Sequence, residues 1–398
     1  MAQEWGLELL KSIGRFFIHP SLYIAIIAAV FIGYLRIKRE RADFHISVYP
    51  LLHELRYLLS SGWIAGLILS VISVVGGFTI SFGILTTLFF TTTIFTLIGG
   101  FRLLSSAFTI GLAFLTIYVS NQFDFHIPWL GSFIENTNLT SLVGMVILAG
   151  LLLIVEGILM IRNGAKGSSP KYRKSRRGLT VGAFQAKRMW FIPIFCFLPT
   201  GPLTAPFSWW PTLDWGTHSY SLILVPFIIG FQQQIQSNLP DVAVKKLGKQ
   251  IIAAGVATTA IAASGLWISI LSLVGMVFAI LARAWISYQH RVREGANPYY
   301  FTQRDNGLII LAVIPGSPAD KLSLKTGEVI HKCNGQQVRN TDEFYHALQK
   351  NRTYCKLEVL DTNEQIRFAQ GALFEGDHHE LGIITVEGKK EWGTGEAS

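Results

Sequence analysis

The hydrophobic pattern divides the chain in two. Up to about residue 290, apolar runs long enough to cross a bilayer alternate with short polar clusters. From about Gln303 onward the texture is that of an ordinary soluble domain. Residues 1–18 carry Trp5, Leu7, Leu9, Leu10, Ile13, Phe16 and Phe17 at helical spacing, which predicts an interfacial amphipathic helix or an extension of the first span. His19-Pro20 marks a break, and 21–35 is the first apolar run. Residues 42–61 read as a short cytoplasmic amphipathic helix. Residues 62–119 are continuously apolar, with Gly76-Gly77 and Gly99-Gly100 at one-span intervals, and predict three tightly connected helices. A further span covers 141–161. The Pro-broken run 189–209 and the run 219–235 are read as two more, and 251–287 as a hairpin of two spans turning near Ser264-Gly265. The reading is of about nine spans, or seven to eight if the first run and the 62–119 block divide differently.

After a linker at 291–302, residues 306–313 alternate like a strand. Pro315-Gly316-Ser317-Pro318 is a turn that opens a short helix over 319–324, with Pro tolerated in its first turn. Residues 328–335 predict a strand running into an Asn334-Gly335 hairpin turn. Asn340 and Glu343 stand at capping-box spacing for a helix to about Lys350. Strands follow at 354–360, 364–369 and 381–386. The soluble domain is placed at 303–388 and a flexible tail at 389–398. The fold class expected is a polytopic α-helical membrane protein with a C-terminal α+β domain.

Charge sharpens the topology. Charged residues make up 15% of the chain, and between residues 62 and 161 the only Lys or Arg is Arg102. The net charge of +9 sits in short loops between apolar runs, where the positive-inside rule puts it, so it points away from nucleic acid. Arg36, Lys38, Arg39 and Arg41 mark one inside segment. Residues 162–188 hold nine Lys or Arg and no acid, and read as a flexible inside loop whose charge serves either topology alone or, through Lys171, Arg173, Lys174, Arg176 and Arg177 at the membrane surface, contact with anionic headgroups. Asp124, Glu135, Pro128 and Trp129 mark an outside loop at 120–138, and Asp214 another. The basic loop before the last domain puts that domain in the cytoplasm. No small-residue cleavage site follows the first apolar run, so no cleavable signal is read there.

Candidate chemistry is sparse. Cys196, Cys333 and Cys355 have neither disulfide-framework nor metal-ligand spacing. His53-Glu-Leu-Arg-Tyr57 and His379-Glu-Leu-Gly-Ile383 each lack the second histidine of a zinc-protease helix, and His378-His379 supplies too few ligands. There is no nucleophile elbow and no phosphate loop, so no enzyme and no cofactor is expected. Glu156 lies in an apolar run near the inner surface, and Arg102 is its expected partner.

The last domain resembles a PDZ domain of the bacterial, circularly permuted type. The resemblance rests on Gly307, the run Val-Ile-Pro-Gly-Ser-Pro-Ala at 313–319, Leu322, Leu324, Gly327-Glu-Val-Ile330 and Asn334-Gly335. It implies a carboxylate-binding loop at 380–383 leading into a groove strand, with a peptide added at the strand edge. The implied peptide-binding residues are Leu381, Gly382, Ile383 and Thr385 on the strand, with Thr341, Tyr345 and Leu348 on the facing helix and Phe344 in the core. The acidic, His-rich stretch 371–379 departs from the basic entry common in that fold.

The whole chain resembles the MinJ family of membrane adaptors of the Min division-site system in Gram-positive rods. Beyond the PDZ-like end, the features are Trp5-Gly-Leu-Glu-Leu-Leu-Lys11, His19-Pro20 and the run 36–41. The resemblance implies a non-enzymatic membrane scaffold at division septa and poles. There it would bridge a DivIVA-like pole marker to a MinD-like ATPase, with other divisome membrane proteins as further partners. A PDZ-bearing transporter, or a regulator of an intramembrane protease, is the alternative, and it calls for several acids and bases facing each other within the spans.

Overall fold

The computed structural model describes residues 2–123, 139–204, 219–351, 353–372 and 381–386. Asp124, Pro128, Trp129, Glu135, Asp214, His378, His379 and the tail 389–398 lie outside them. Helix α1 (Ala2–Ile18) meets α2 (Pro20–Phe44) at His19, whose Nδ1 accepts from Ser21 N at 3.3 Å and sets Pro20 at the first helical position. α2 does not stop at the end of the 21–35 run. It continues through residues 36–41, because Arg36, Arg39 and Glu40 find partners inside the protein. α3 (His53–Ser60) leads into α4 (Trp63–Gly76), α5 (Phe82–Leu97) and α6 (Ser106–Phe123), which occupy the 62–119 block. Gly77, at φ 64°, caps α4 with its N–H on the last-turn carbonyls. α7 (Leu139–Leu159) ends in a π turn, Met160–Gly164. Later come α8 (Pro240–Ser264) and α9 (Ile270–Ala296), turning where the 251–287 hairpin was expected, although α8 begins earlier and carries Lys245, Lys246 and Lys249 within it. Among the described residues, five helical stretches are long and apolar enough to cross a membrane: Pro20–Phe44, His53–Gly76, Ser141–Gly164, Pro240–Ser264 and Ile270–Ala296.

α7 and α8 pack through glycines seven residues apart. A Cβ on Gly157 would lie 2.6 Å from the Gly248 carbonyl, and one on Gly255 2.9 Å from the Gly150 carbonyl. Apolar side chains gain little by leaving lipid for a helix interface, so this close backbone approach is what holds the pair.

The run at 219–235 and the described part of the run at 189–209, residues 189–204, are not helical spans. They belong to β2 (Thr180–Leu203) and β3 (Tyr220–Ile235), a long antiparallel hairpin buried among the helices. The 162–188 segment is likewise not a flexible loop. It holds the π turn, the strand β1 (Ser169–Lys174) and the start of β2, in a three-stranded sheet of order β1-β2-β3. A sheet in an apolar setting must satisfy its edges from within the protein. On the β2 side, Ser70 Oγ accepts from Phe195 N at 3.0 Å, while Phe197 N donates to Phe78 O and Ile80 N to Phe197 O. On the β3 side, Gly230 N donates to Leu104 O, and the side chains of Arg15 and Arg102 donate to the carbonyls of Leu222 and Gln232. Pro193 stands opposite Pro226, at the same parity as the outward-pointing amides of Phe195, Phe197 and Gly230. Neither proline therefore removes a rung of the ladder. α4 lies against the β2 backbone through small residues: a Cβ on Gly66 would meet the Pro193 carbonyl at 2.4 Å.

The C-terminal sheet has the order β8-β7-β5-β4-β9. Its elements are β4 (Leu308–Val313), α10 (Pro318–Lys321), β5 (Val329–Cys333), β6 (Gln336–Gln337), α11 (Thr341–Gln349), β7 (Tyr354–Leu360), β8 (Ile366–Ala372) and β9 (Ile383–Thr385), with β6 paired to β5. One face of the sheet closes over a core of Leu308, Ile310, Ile330, Phe344, Leu357 and Ile383 with their neighbours. The other face is covered where β4 and β9 meet the helical body, while its β7–β8 part, with Ile366 and Phe368, is exposed. Ile309, Leu311, Ile384 and Val386 join Phe184 and Phe301 in the core of the helical body. Glu294, at the end of α9, accepts from Gln236 N (2.7 Å) and Ser237 N (2.9 Å), and Tyr300 N donates to Gln236 O (2.9 Å), so the lead-in to this domain is tied to the end of β3.

Candidate functional site

β9 is the end strand of its sheet. Just before it, Leu381 and Gly382 take positive φ, 53° and 77°. Their carbonyls accept from Ala319 N and Ile314 N, each at 2.9 Å. A Cβ at position 382 would lie 2.2 Å from that of Ser317, so this turn needs glycine. With the Gly382 carbonyl on the β4 side, strand alternation turns the backbone groups of Ile383 and Thr385 outward. α11 lies beside this edge, with Thr341 Oγ1 3.1 Å from Thr385 Oγ1. Asn340 caps α11 by accepting from Glu343 N (2.8 Å), and Glu343 accepts from Arg339 N (2.8 Å).

Among the residues expected to line the groove, Leu348, Leu381 and Ile383 turn their side chains into the domain core with Phe344. Thr341, Tyr345 and Thr385 stay half-buried at its surface. Thr385 also has a partner from far along the chain: Tyr172 Oη, on β1, donates to the Thr385 carbonyl at 2.8 Å. Beside this junction, a cleft of about 590 Å³ runs between the body and the domain, lined by Tyr49, Lys166, Phe184, Asp241, Lys325 and Arg367 among others.

The intramembrane acid is paired, but not with Arg102. Glu156 Oε1 meets Arg283 Nε and Nη2 at 3.0 and 2.9 Å, and Oε2 accepts from Ser105 Oγ at 2.6 Å. Arg102 instead donates to the Gln232 carbonyl. Arg283 lies mid-helix in α9, a position a membrane-crossing helix fills with a cation only when a counter-charge awaits it.

The nine basic residues expected at the membrane surface also divide. Lys38, Arg41, Arg173, Lys174, Arg176 and Arg177 are exposed. Arg36 is buried between Glu40 (3.3 Å) and Glu54 (3.3 Å), and Glu54 also receives the buried Arg188 at 2.6 Å. Arg39 donates to Gln185 and Ser169, and Lys171 to Gln234. The acids on α2 and α3 draw these cations inward; the i,i+4 spacing of Arg36 and Glu40 is the one sequence signal of the network. Burial holds the Lys171 ammonium below its ordinary pKa.

All three cysteines are free and buried. In the C-terminal domain a hydrogen bond between Cys333 and Cys355 lowers the pKa of the first thiol and raises that of the second. Among the described residues, no group of three or more His, Cys, Asp or Glu could hold a metal ion.

Similarity to known proteins extends over this whole architecture. The chain is 37% identical over 395 residues to the cell division topological determinant MinJ of Bacillus subtilis strain 168, which is 98% of either chain. It belongs to the MinJ family. The probable MinJ proteins of Lacticaseibacillus paracasei and Lacticaseibacillus casei strain BD-II are each 25% identical over 352 residues, covering 88% of this chain and 90% of theirs. A stretch of 80 residues, 20% of this chain, is 29% identical to a probable periplasmic serine endoprotease DegP-like of Marinomonas sp. strain MWYL1, of which it covers 17%. No family model matches, and no solved structure matches significantly. As a MinJ-family member the chain is a cell-division membrane protein, acting with other division proteins, and its relatives are named for positioning division rather than for a reaction.

Proposed function

We propose that this chain is a non-enzymatic membrane scaffold that recruits cell-division regulators to the septum and poles. In this reading it bridges a DivIVA-like pole marker to a MinD-like ATPase, so that division away from the proper site is inhibited. The observation that carries it is the match to MinJ over 98% of both chains, because a division determinant that matches from end to end shares anchor and domain together. The C-terminal domain, read as a permuted PDZ domain on the cytoplasmic side, is the recruiting module. An extended peptide adds to the outward edge of Ile383 and Thr385, and the turn at Leu381-Gly382, whose carbonyls are already bonded inward, receives a terminal carboxylate on its amide side. The exposed cations at 38, 41, 173, 174, 176 and 177 face anionic headgroups.

A fluorescent fusion expressed in dividing rod-shaped cells tests the proposal. Enrichment at septa and young poles, lost on deletion of the coiled-coil pole marker, is the expected result. A uniform membrane signal indifferent to that deletion would overturn it.

A further inference from the structure

The edge assigned to peptide recognition is already occupied by the chain itself. In a strand-addition complex, the outward carbonyl of Thr385 accepts a hydrogen bond from the incoming peptide. Here that carbonyl accepts from Tyr172 Oη at 2.8 Å. The Tyr172 ring packs edge-on against Phe44, with centroids 4.6 Å apart. β1 itself is bound along its length to β2 and is further pinned where Arg39 donates to Ser169 Oγ, so the hydroxyl is held in place by a rigid hairpin. The Thr341–Thr385 hydroxyl contact draws helix and strand together at the same point.

The rest of the contact is built for close approach. Gly182 N, on β2, donates to Phe301 O at 2.8 Å. A Cβ on Gly182 would lie 2.5 Å from Leu311 Cδ1, 2.8 Å from Phe301 Cβ and 3.1 Å from Val386 Cγ2, so any larger side chain here must displace part of the contact.

We infer that the β1–β2 hairpin acts as a built-in competitor for the recognition edge, so that the domain must leave the membrane body before it takes a peptide. This rests on the reading of β9 as a recognition edge. The free chain then sits mostly docked, and its apparent affinity is reduced by the fraction that is undocked. Losing one neutral hydrogen bond from the docked state is expected to raise that affinity about two- to tenfold.

The test uses the full chain in nanodiscs, as wild type, Tyr172→Phe and Gly182→Val. Tyr172→Phe keeps the ring and removes only the hydroxyl; Gly182→Val wedges the interface and serves as a second variant. Random peptides with free C-termini, displayed on phage, are selected against each protein, and the selected peptide is titrated by fluorescence anisotropy. Hydrogen exchange of residues 381–386 without peptide reports docking. The expected result is faster exchange in both variants and peptide binding about two- to tenfold tighter in Tyr172→Phe. Equal affinity in all three would overturn the competition and leave the recognition edge standing. If exchange is faster but no peptide is selected by any of the three, the recognition edge itself fails, and the competition with it.

Discussion

Replacing Glu156 by glutamine removes one charge from the Glu156–Arg283–Ser105 cluster at nearly constant shape. Glu156 is 0% exposed and Arg283 1%. The substitution therefore strands a buried guanidinium whose Nε hydrogen bond at 3.0 Å and Nη2 ion-pair contact at 2.9 Å no longer meet a carboxylate. Breaking a buried pair from one side costs about 3–5 kcal/mol, against a whole-protein stability of about 5–15 kcal/mol. Arg283→Gln is expected to cost a similar amount by leaving the carboxylate alone. The double substitution Glu156→Leu with Arg283→Met removes both desolvation penalties, and is expected to return to within about 1 kcal/mol of wild type. Arg102→Gln loses one contact of 3.4 Å from a half-buried side chain, so its expected cost is under about 1 kcal/mol. Reversible unfolding in mixed micelles, titrated with a denaturing detergent and followed by tryptophan fluorescence, measures all four. An Arg102 variant as damaging as the Arg283 variant, or a double mutant as unstable as the sum of its singles, would refute the pairing.

Other consequences follow from the geometry. Gly157→Leu puts a side chain where even a Cβ meets Gly248 O at 2.6 Å, and is expected to cost at least about 1–3 kcal/mol in the same assay, whereas Gly6→Ala, with nothing within 4 Å, leaves the midpoint essentially unchanged. Asn340→Ala deprives Glu343 N of its cap and is expected to cost about 1 kcal/mol, read as faster hydrogen exchange in the first turn of α11. Because Tyr172 touches Thr385, the hairpin and the C-terminal domain share one side of the membrane. Leu179→Cys, at an exposed site in the β1–β2 turn, and His346→Cys, on the exposed face of α11, are thus expected to react with a membrane-impermeant maleimide from the same side. The buried native cysteines stay silent, and labelling from opposite sides would break the docked arrangement.

Local signals were legible in the sequence because they act over a few residues. His19-Pro20 opens a helix, Gly77 closes one, and Asn340 with Glu343 caps another, each through backbone groups within a turn of itself. The division into an apolar body and a soluble sheet domain follows from composition, since a charge-poor run of a hundred residues has no watery alternative. The strands β2 and β3 were not legible. They are buried on both faces, so they lack the two-residue alternation that marks a half-exposed strand, and an apolar run of that kind reads equally well as a helix. What made them a sheet was the supply of edge partners from Ser70, Phe78, Leu104 and Arg102, residues 119 to 130 positions away from the groups they satisfy. The charge partners were hidden for the same reason. Glu156 and Arg283 are 127 residues apart, and Tyr172 and Thr385 are 213 apart. The sequence alone determined which groups needed a partner, because desolvation penalises each residue by its own chemistry. Only the tertiary structure decided which partner each received, because that depends on which distant backbones the packing of glycines and small side chains allows to meet.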